Sequence, residues 1–379
     1  MDIGTITACA YNPGELSSYS FIRAGQGWDY HQGPILFPFA DGRLQMCWGA
    51  YDIDECSNDG VVLYSTSQDQ GETWDPPQVF MASPNAVVSH LHFAEAPAGG
   101  GAAGEAIVIY REGHYYGIRT DRLRKARLSG ANYAESPMHL LQKRSRDGGF
   151  TWDPPTAIDP VLVMGCDRSP YYGAPEQVLT LASGELLLSV GYMDPDRRDP
   201  QHFNVAFLLS ADGGRTWEKV SDLTVPEVRG AMEPSAAEVE PGHLYCAIRN
   251  KSGYVYETRS EDGGRTWVEP AKTAIPTVEA MVRVLQLASG RLLMVWNNQS
   301  STTQQPRHPL VATLSDDGGR TWGPVKVLAD DVEANQLTNF NHLQTADGRI
   351  LVCTSHYRAT PPACSDLDLL VFDQEWLEG

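Results

Sequence analysis

One eight-letter phrase recurs five times along the chain. It reads "SQDQGETW" at 67–74, "SRDGGFTW" at 145–152, "SADGGRTW" at 210–217, "SEDGGRTW" at 260–267 and "SDDGGRTW" at 315–322. Its aspartates fall at 69, 147, 212, 262 and 317, in steps of 78, 65, 50 and 55 residues. An unequal period of about one four-stranded sheet per repeat fits propeller blades with inserted loops. The chemistry within the box is that of a turn. The Asp accepts backbone N–H bonds, the second Gly supplies positive φ, and the Thr re-enters a strand. The Trp is an apolar plate for a neighbouring sheet. Five copies of one active site in one chain make no sense, so the box aspartates are structural.

A second repeat consists of a strand, a Gly turn and a strand: "QGPILFPFADGRLQMCWG" (32–49), "PEQVLTLASGELLLSVGY" (175–192), "MEPSAAEVEPGHLYCAIRN" (232–250), "MVRVLQLASGRLLMVWNN" (281–298) and "NFNHLQTADGRILVCTSH" (339–356). A weaker sixth copy with an enlarged turn spans 90–113. These read as the inner hairpins of six blades, five of them followed by a box hairpin. The last blade takes "DLDLLVFDQEW" (366–376) and closes with an amino-terminal strand such as "SYSFIRAG" (18–25), which hides both sheet edges. The expected fold is therefore all-β, a six-bladed β-propeller of four-stranded antiparallel sheets with five box turns, in a single domain over 1–379. The basic stretch "HYYGIRTDRLRKARLSG" (114–130) reads as loop or strand.

The chain of 379 residues carries a formal charge of −19. That argues against a nucleic-acid partner, since a phosphate backbone needs a Lys/Arg surface. No run is long and apolar enough to span a bilayer as a helix. The start "MDIGTITACA" lacks a basic segment followed by an apolar one. Seven dispersed cysteines without a CxxC pair suggest free thiols. The expectation is a cytoplasmic protein with no membrane partner, or a secreted one if a leader has been trimmed away.

With its boxes and hairpins together, the sequence resembles the sialidase superfamily over nearly its whole length. In that superfamily the active site lies over the central channel, where the inner strands begin. The resemblance implies an arginine triad for a carboxylate, a Tyr nucleophile paired with Glu, and an Asp acid/base. Glu233, nine residues before the hairpin Gly242, matches the Glu, while Arg249 and Arg307 match the second and third arginines. Gln32 stands where the first Arg belongs. Asn339 and Phe340 stand where the Tyr belongs, and a phenyl ring has no oxygen to attack with. Asp52, Asp54 and Asp59 are candidates for the acid/base.

The hairpin openings by themselves bring Gln32 with His31, His90 and His92, Glu176, Glu233, Met281 with Arg283, and Asn339 to His342 towards one axis. That is more polarity than an inert core would hold. Glu176 and Glu233 open consecutive hairpins and can act as a carboxyl pair on a glycosidic bond; the resemblance extends to exo-arabinanases that use two glutamates on this scaffold. Asp54 stands as the third catalytic candidate. The sugar-binding candidates are Arg249, Arg307, Gln32, His31, His92, Arg111, Asn341 and His342, with the arginines suited to an anionic sugar. His90 and His92 lie two apart on a strand, but no third metal ligand accompanies them. The sequence thus predicts a glycosidase of sialidase-like type that acts on a terminal sugar, neutral or anionic, and needs no cofactor or metal. Its rivals are a polysaccharide lyase in which a His abstracts a uronate proton, and a carbohydrate-binding propeller without catalysis.

Overall fold

The computed structural model describes residues 6, 11–25, 28–53, 55, 57–84, 86–95, 104–116, 119–121, 126–129, 135–167, 173–198, 201–359 and 363–379. Strands dominate them. Four sheets have four antiparallel strands each, paired in chain order. They run Val87–Glu95 to Thr156–Ala157, Ala174–Thr180 to Glu218–Leu223, Met232–Glu240 to Ala271–Pro276, and Arg283–Gln286 to Lys326–Ala329. The remaining sheet has eight strands. One half runs from Tyr30–Pro38 to Gln78–Ala82. The other comprises Gln336–Gln344, Ile350–Arg358 and Cys364–Phe372, with Ser17–Ile22 on its outer edge. A single parallel pair, Tyr30 with Ser365, joins the halves. The amino-terminal strand closes the last sheet as its sequence suggested. The carboxy-terminal strand is shorter than expected, because Asp373 caps a short helix, Gln374–Glu378, by accepting from the Trp376 amide at 2.8 Å. The basic stretch forms a small hairpin of Arg119–Asp121 with Ala126–Ser129.

Apolar clusters fill the spaces between sheets that are consecutive in the chain. Cys47 and Val62 meet Phe93 and Val108, Ile109 meets Leu188, and Leu187 meets Cys246. Tyr245 meets Met294, and Val295 meets Val352. Trp48 and Met46 meet Leu351 and Cys353, which brings the last hairpin against the first and closes the ring. Ring closure buries both faces of the second strands, so these read as continuous apolar runs instead of alternating ones; Leu292–Asn297 is buried at every position.

The five boxes fold alike. In each, the Ser hydroxyl donates to the Asp carboxylate and accepts from the second Gly amide; for 260–264 the distances are 2.8 and 2.9 Å. The same Asp262 accepts from the Thr266 amide at 2.9 Å and its hydroxyl at 2.6 Å. These bonds stabilise the charged carboxylates, holding Asp212 near 2 although its partial burial opposes this. Both box glycine positions adopt positive φ, 71° at Gly263 and 84° at Gly264, yet Gln70 occupies the first position with φ 61°. What reserves the second position for glycine is the neighbouring sheet. A methyl group there would lie 2.6 Å from Leu351 or Phe39, or 2.7 Å from Ile107, Leu187 or Tyr245. Gly264→Ala is expected to cost about 1–3 kcal/mol in chemical denaturation through this overlap. Gly263→Asn, which keeps a residue tolerant of positive φ, is expected to cost less than half as much.

Candidate functional site

Five of the six inner strands share one irregularity, whereas Arg283–Gln286 pairs without a slip. Their pairing slips between Gln32 and Ile35, Ser89 and His92, Pro175 and Gln177, Met232 and Ser235, and Thr338 and Asn341. Each slip is a β-bulge, which turns a side chain out of the ladder. The bulges hold Gly33, His90, Glu176, Glu233 and Asn339; of these, His90, Glu233 and Asn339 have positive φ at 54°, 40° and 48°. All five bulge residues line one cleft of about 760 Å³. Non-glycine residues at positive φ are strained by about 1–3 kcal/mol, and such strain gathers at functional sites.

Two glutamates dominate its electrostatics. Glu233 accepts from Arg249 Nη1 at 2.7 Å. Burial would raise the Glu233 pKa, but the charge and hydrogen bond of Arg249, aided by Arg283 and Arg307, bring it below the usual value. Glu176 moves the other way. Burial and the Glu233 charge push it up against the pull of Arg283, Arg111 and Arg249. Gly191 makes room for it, since a methyl group there would lie 2.5 Å from Glu176 Oε1. The two carboxyls are thus driven apart, Glu176 towards keeping its proton and Glu233 towards losing it.

Six cations line the same cleft: Arg111, Arg229, Arg249, Lys251, Arg283 and Arg307. Glu279, 1% exposed, anchors two of them, at 2.8 Å from Arg229 and 3.9 Å from Arg249. Arg307 donates to the Gln304 carbonyl and the Thr338 hydroxyl, each at 2.8 Å. Arg283 donates to the Glu176 carbonyl at 3.1 Å. Neither Arg283 nor Arg307 forms an ion pair among the described residues. Burial lowers both pKa values, that of Arg307 to about 10 with help from Arg249. Tyr30, Tyr51, Tyr115 and Tyr357 add aromatic walls.

The matches to known proteins follow this architecture. Residues 125–352, more than half of the chain, match the BNR repeat-like domain. The chain belongs to the BNR repeat-like family of the sialidase superfamily, and its fold is a β-propeller of four-stranded antiparallel sheets. A sialidase of Bacteroides fragilis (strain YCH46) is 25% identical over 310 residues, covering 75% of this chain and 53% of its own length. The chain therefore spans about half of that curated relative. Among solved structures, the Hadza microbial sialidase Hz136 superposes with a TM-score of 0.72 at 19% identity, over 94% of this chain and 68% of that one. A protein of unknown function from Dyadobacter fermentans DSM 18053 gives 0.70 at 17%, over 94% and 98%. The K499G mutant of the NanB sialidase from Streptococcus pneumoniae gives 0.71 at 14%, over 94% and 70%. At these identities the solved structures share the fold.

Within this BNR propeller, Glu176, Glu233, Arg249, Arg307, Gln32, His92 and Arg111 all line the cleft. Gln32 does not stand in for a carboxylate-binding arginine in any simple way, because its amide donates to Glu55. His31 lies outside the cleft lining, 1% exposed, and its Nδ1 accepts from the Trp48 indole at 3.1 Å. Asn341 and His342 also lie outside that lining. The bulge presents Asn339 and Phe340 instead, and the Asn341 side-chain Oδ1 accepts from the Leu36 amide at 3.0 Å. Asp54 falls outside the described residues. The bulge also breaks the regular alternation that placed His90 and His92 on one strand face, although both reach the cleft. Sequence reasoning missed Arg229, Glu279 and Glu55. Each sits in a connection between strands, where no periodicity marks it; the only sign is a charge close to a hairpin opening or closing.

Titration of ¹³C-labelled glutamate is expected to find Glu176 above, and Glu233 below, the usual carboxyl range. In Glu233→Gln the Glu176 pKa should fall, since the neighbouring negative charge is gone.

Proposed function

We propose that the protein is a sialidase-like exo-glycoside hydrolase whose acid is Glu176 and whose ionised carboxylate is Glu233. The observation that carries this reading is the opposed shift of two carboxyls in one cleft, the division of labour that glycosidic cleavage requires. Glu176 donates its proton to the departing glycosidic oxygen. Glu233, with Oε2 held by Arg249, meets the positive charge that grows on the anomeric carbon, as nucleophile or as the base for water. The missing tyrosine is then no obstacle, because neither role needs a phenol. In this reading the eight-stranded sheet counts as two blades, so that six blades of one domain surround the cleft. Its cations, gathered in a chain of net charge −19, suit a terminal sugar that carries an anionic group.

Screening aryl glycosides and uronate-containing glycans for new reducing ends tests the reading. Glu233→Gln is expected to lower turnover by about 10³-fold or more while the circular dichroism spectrum stays unchanged; unaltered turnover removes the assignment. An unsaturated, ultraviolet-absorbing product in place of a reducing end indicates elimination instead. The pH profile should be bell-shaped. Activity falls on the alkaline side as Glu176 loses its proton near pH 8. It falls on the acid side only below the usual carboxylate range, where Glu233 becomes protonated.

A further inference from the structure

His90 has no part in that chemistry, yet it is the most conspicuously placed side chain in the cleft. Its bulge holds it at φ 54°, exposed to the cavity. Next to it, the Ser89 hydroxyl accepts from Arg111 Nε at 3.3 Å and from Arg111 Nη2 at 3.1 Å. A hydroxyl oxygen has two lone pairs and one proton. With two Arg111 N–H groups converging on its oxygen, the Ser89 hydroxyl is best oriented with its proton towards His90 Nδ1, 3.2 Å away. That orientation makes Nδ1 the acceptor and assigns the ring proton to Nε2. Desolvation within the cleft, together with the charges of Arg111, Arg283 and Arg249 and the proximity of His92, pushes the His90 pKa well below its usual value. In that tautomer Nε2–H is a hydrogen-bond donor for a ligand in the cleft.

A second observation comes from Arg283. It is 6% exposed, and among the described residues its Nε has no partner and its one side-chain hydrogen bond goes to a backbone carbonyl. A buried guanidinium without a carboxylate is costly unless a ligand completes it. We infer that Arg283, Arg111 and the Nε2–H of His90 form an oxyanion-binding subsite on the cleft floor that takes a carboxylate or sulfate carried by the sugar. Its residues differ from Gln32, Arg249 and Arg307, the positions that the superfamily resemblance pairs with a carboxylate. It rests on the hydrolase reading only in taking the ligand to be a sugar.

Isothermal titration of the intact protein tests the subsite without turnover. Glucuronate is compared with its methyl ester, and glucose 6-sulfate with glucose; the two pairs separate a carboxylate from a sulfate ester. Tighter binding of either anion than of its neutral counterpart supports the subsite, and equal binding within both pairs overturns it. Arg283→Gln should weaken the preferred anion about tenfold or more, the scale of one charge-assisted hydrogen bond, and leave its neutral counterpart within about twofold. His90→Asn is the second variant, because asparagine tolerates the same positive φ and keeps the fold if Arg283→Gln does not. Undiminished anion binding in folded His90→Asn overturns the assignment. Nitrogen-15 spectra should show His90 Nδ1 unprotonated at neutral pH, whereas a proton there contradicts the donor role. Anion preference in a protein that cleaves no glycoside would leave the subsite standing and remove the hydrolase reading. Glu233-dependent cleavage without anion preference would do the reverse.

Discussion

The contact between the second box glycine and the next sheet sets the phase of the whole molecule. The Ser–Asp–Thr hydrogen bonds shape the turn, and the absent side chain lets Gly71, Gly149, Gly214, Gly264 and Gly319 press against Leu351, Phe39, Ile107, Leu187 and Tyr245. Each of these partners belongs to the preceding hairpin around the ring. The contact thus fixes the spacing of neighbouring sheets at one end of the strands. Antiparallel pairing puts the start of every inner strand at the other end. Turns that carry no chemistry therefore determine where the bulged residues converge.

The bulges convert this geometry into a site. A regular strand would keep Glu233 and His90 in the alternation of the ladder; the slipped register turns them into the cleft and imposes positive φ on them. The packed ring around them, with apolar clusters on every side, can hold that strain. Electrostatics then follow from proximity. Burial and the neighbouring Glu233 charge raise the Glu176 pKa, whereas Arg249 lowers that of Glu233 against its burial. Glu279 neutralises Arg229 and Arg249 from behind, which leaves Arg283 and Arg307 as the buried cations without counter-ions among the described residues. Most of the acidic surplus of the chain lies elsewhere, so the cleft is locally basic in an acidic protein.

Much of this was legible in the linear order of residues. The five boxes and the strand–turn–strand repeats marked the propeller sheets, the closing amino-terminal strand, and the convergence of Glu176, Glu233, Arg249 and Arg307. Repetition made the legible parts so, because a motif spelt five times with the same turn chemistry has one structural meaning. Local register was harder. His31 precedes its bulge and points away by ordinary alternation with Tyr30 and Gln32, which line the cleft, while for Asn341 and His342 a slip of one residue exchanges the two faces of the strand. The slip puts Asn339 and Phe340 at the cleft and leaves Asn341 bonded to Leu36. Arg229, Glu279 and Glu55 escaped because connections between strands have no period against which a charge stands out.

Residue order alone settled the class of fold, because turn chemistry and apolar periodicity act over a few residues and survive in any one repeat read in isolation. Only the closed ring decided which carboxyl is driven towards keeping its proton, which arginines lack a partner, and that His90 faces the cleft as a neutral donor. Those properties depend on charges brought together from hairpins as far apart in sequence as residues 90 and 283, and Coulomb interactions follow separation in space, which the folded ring alone establishes.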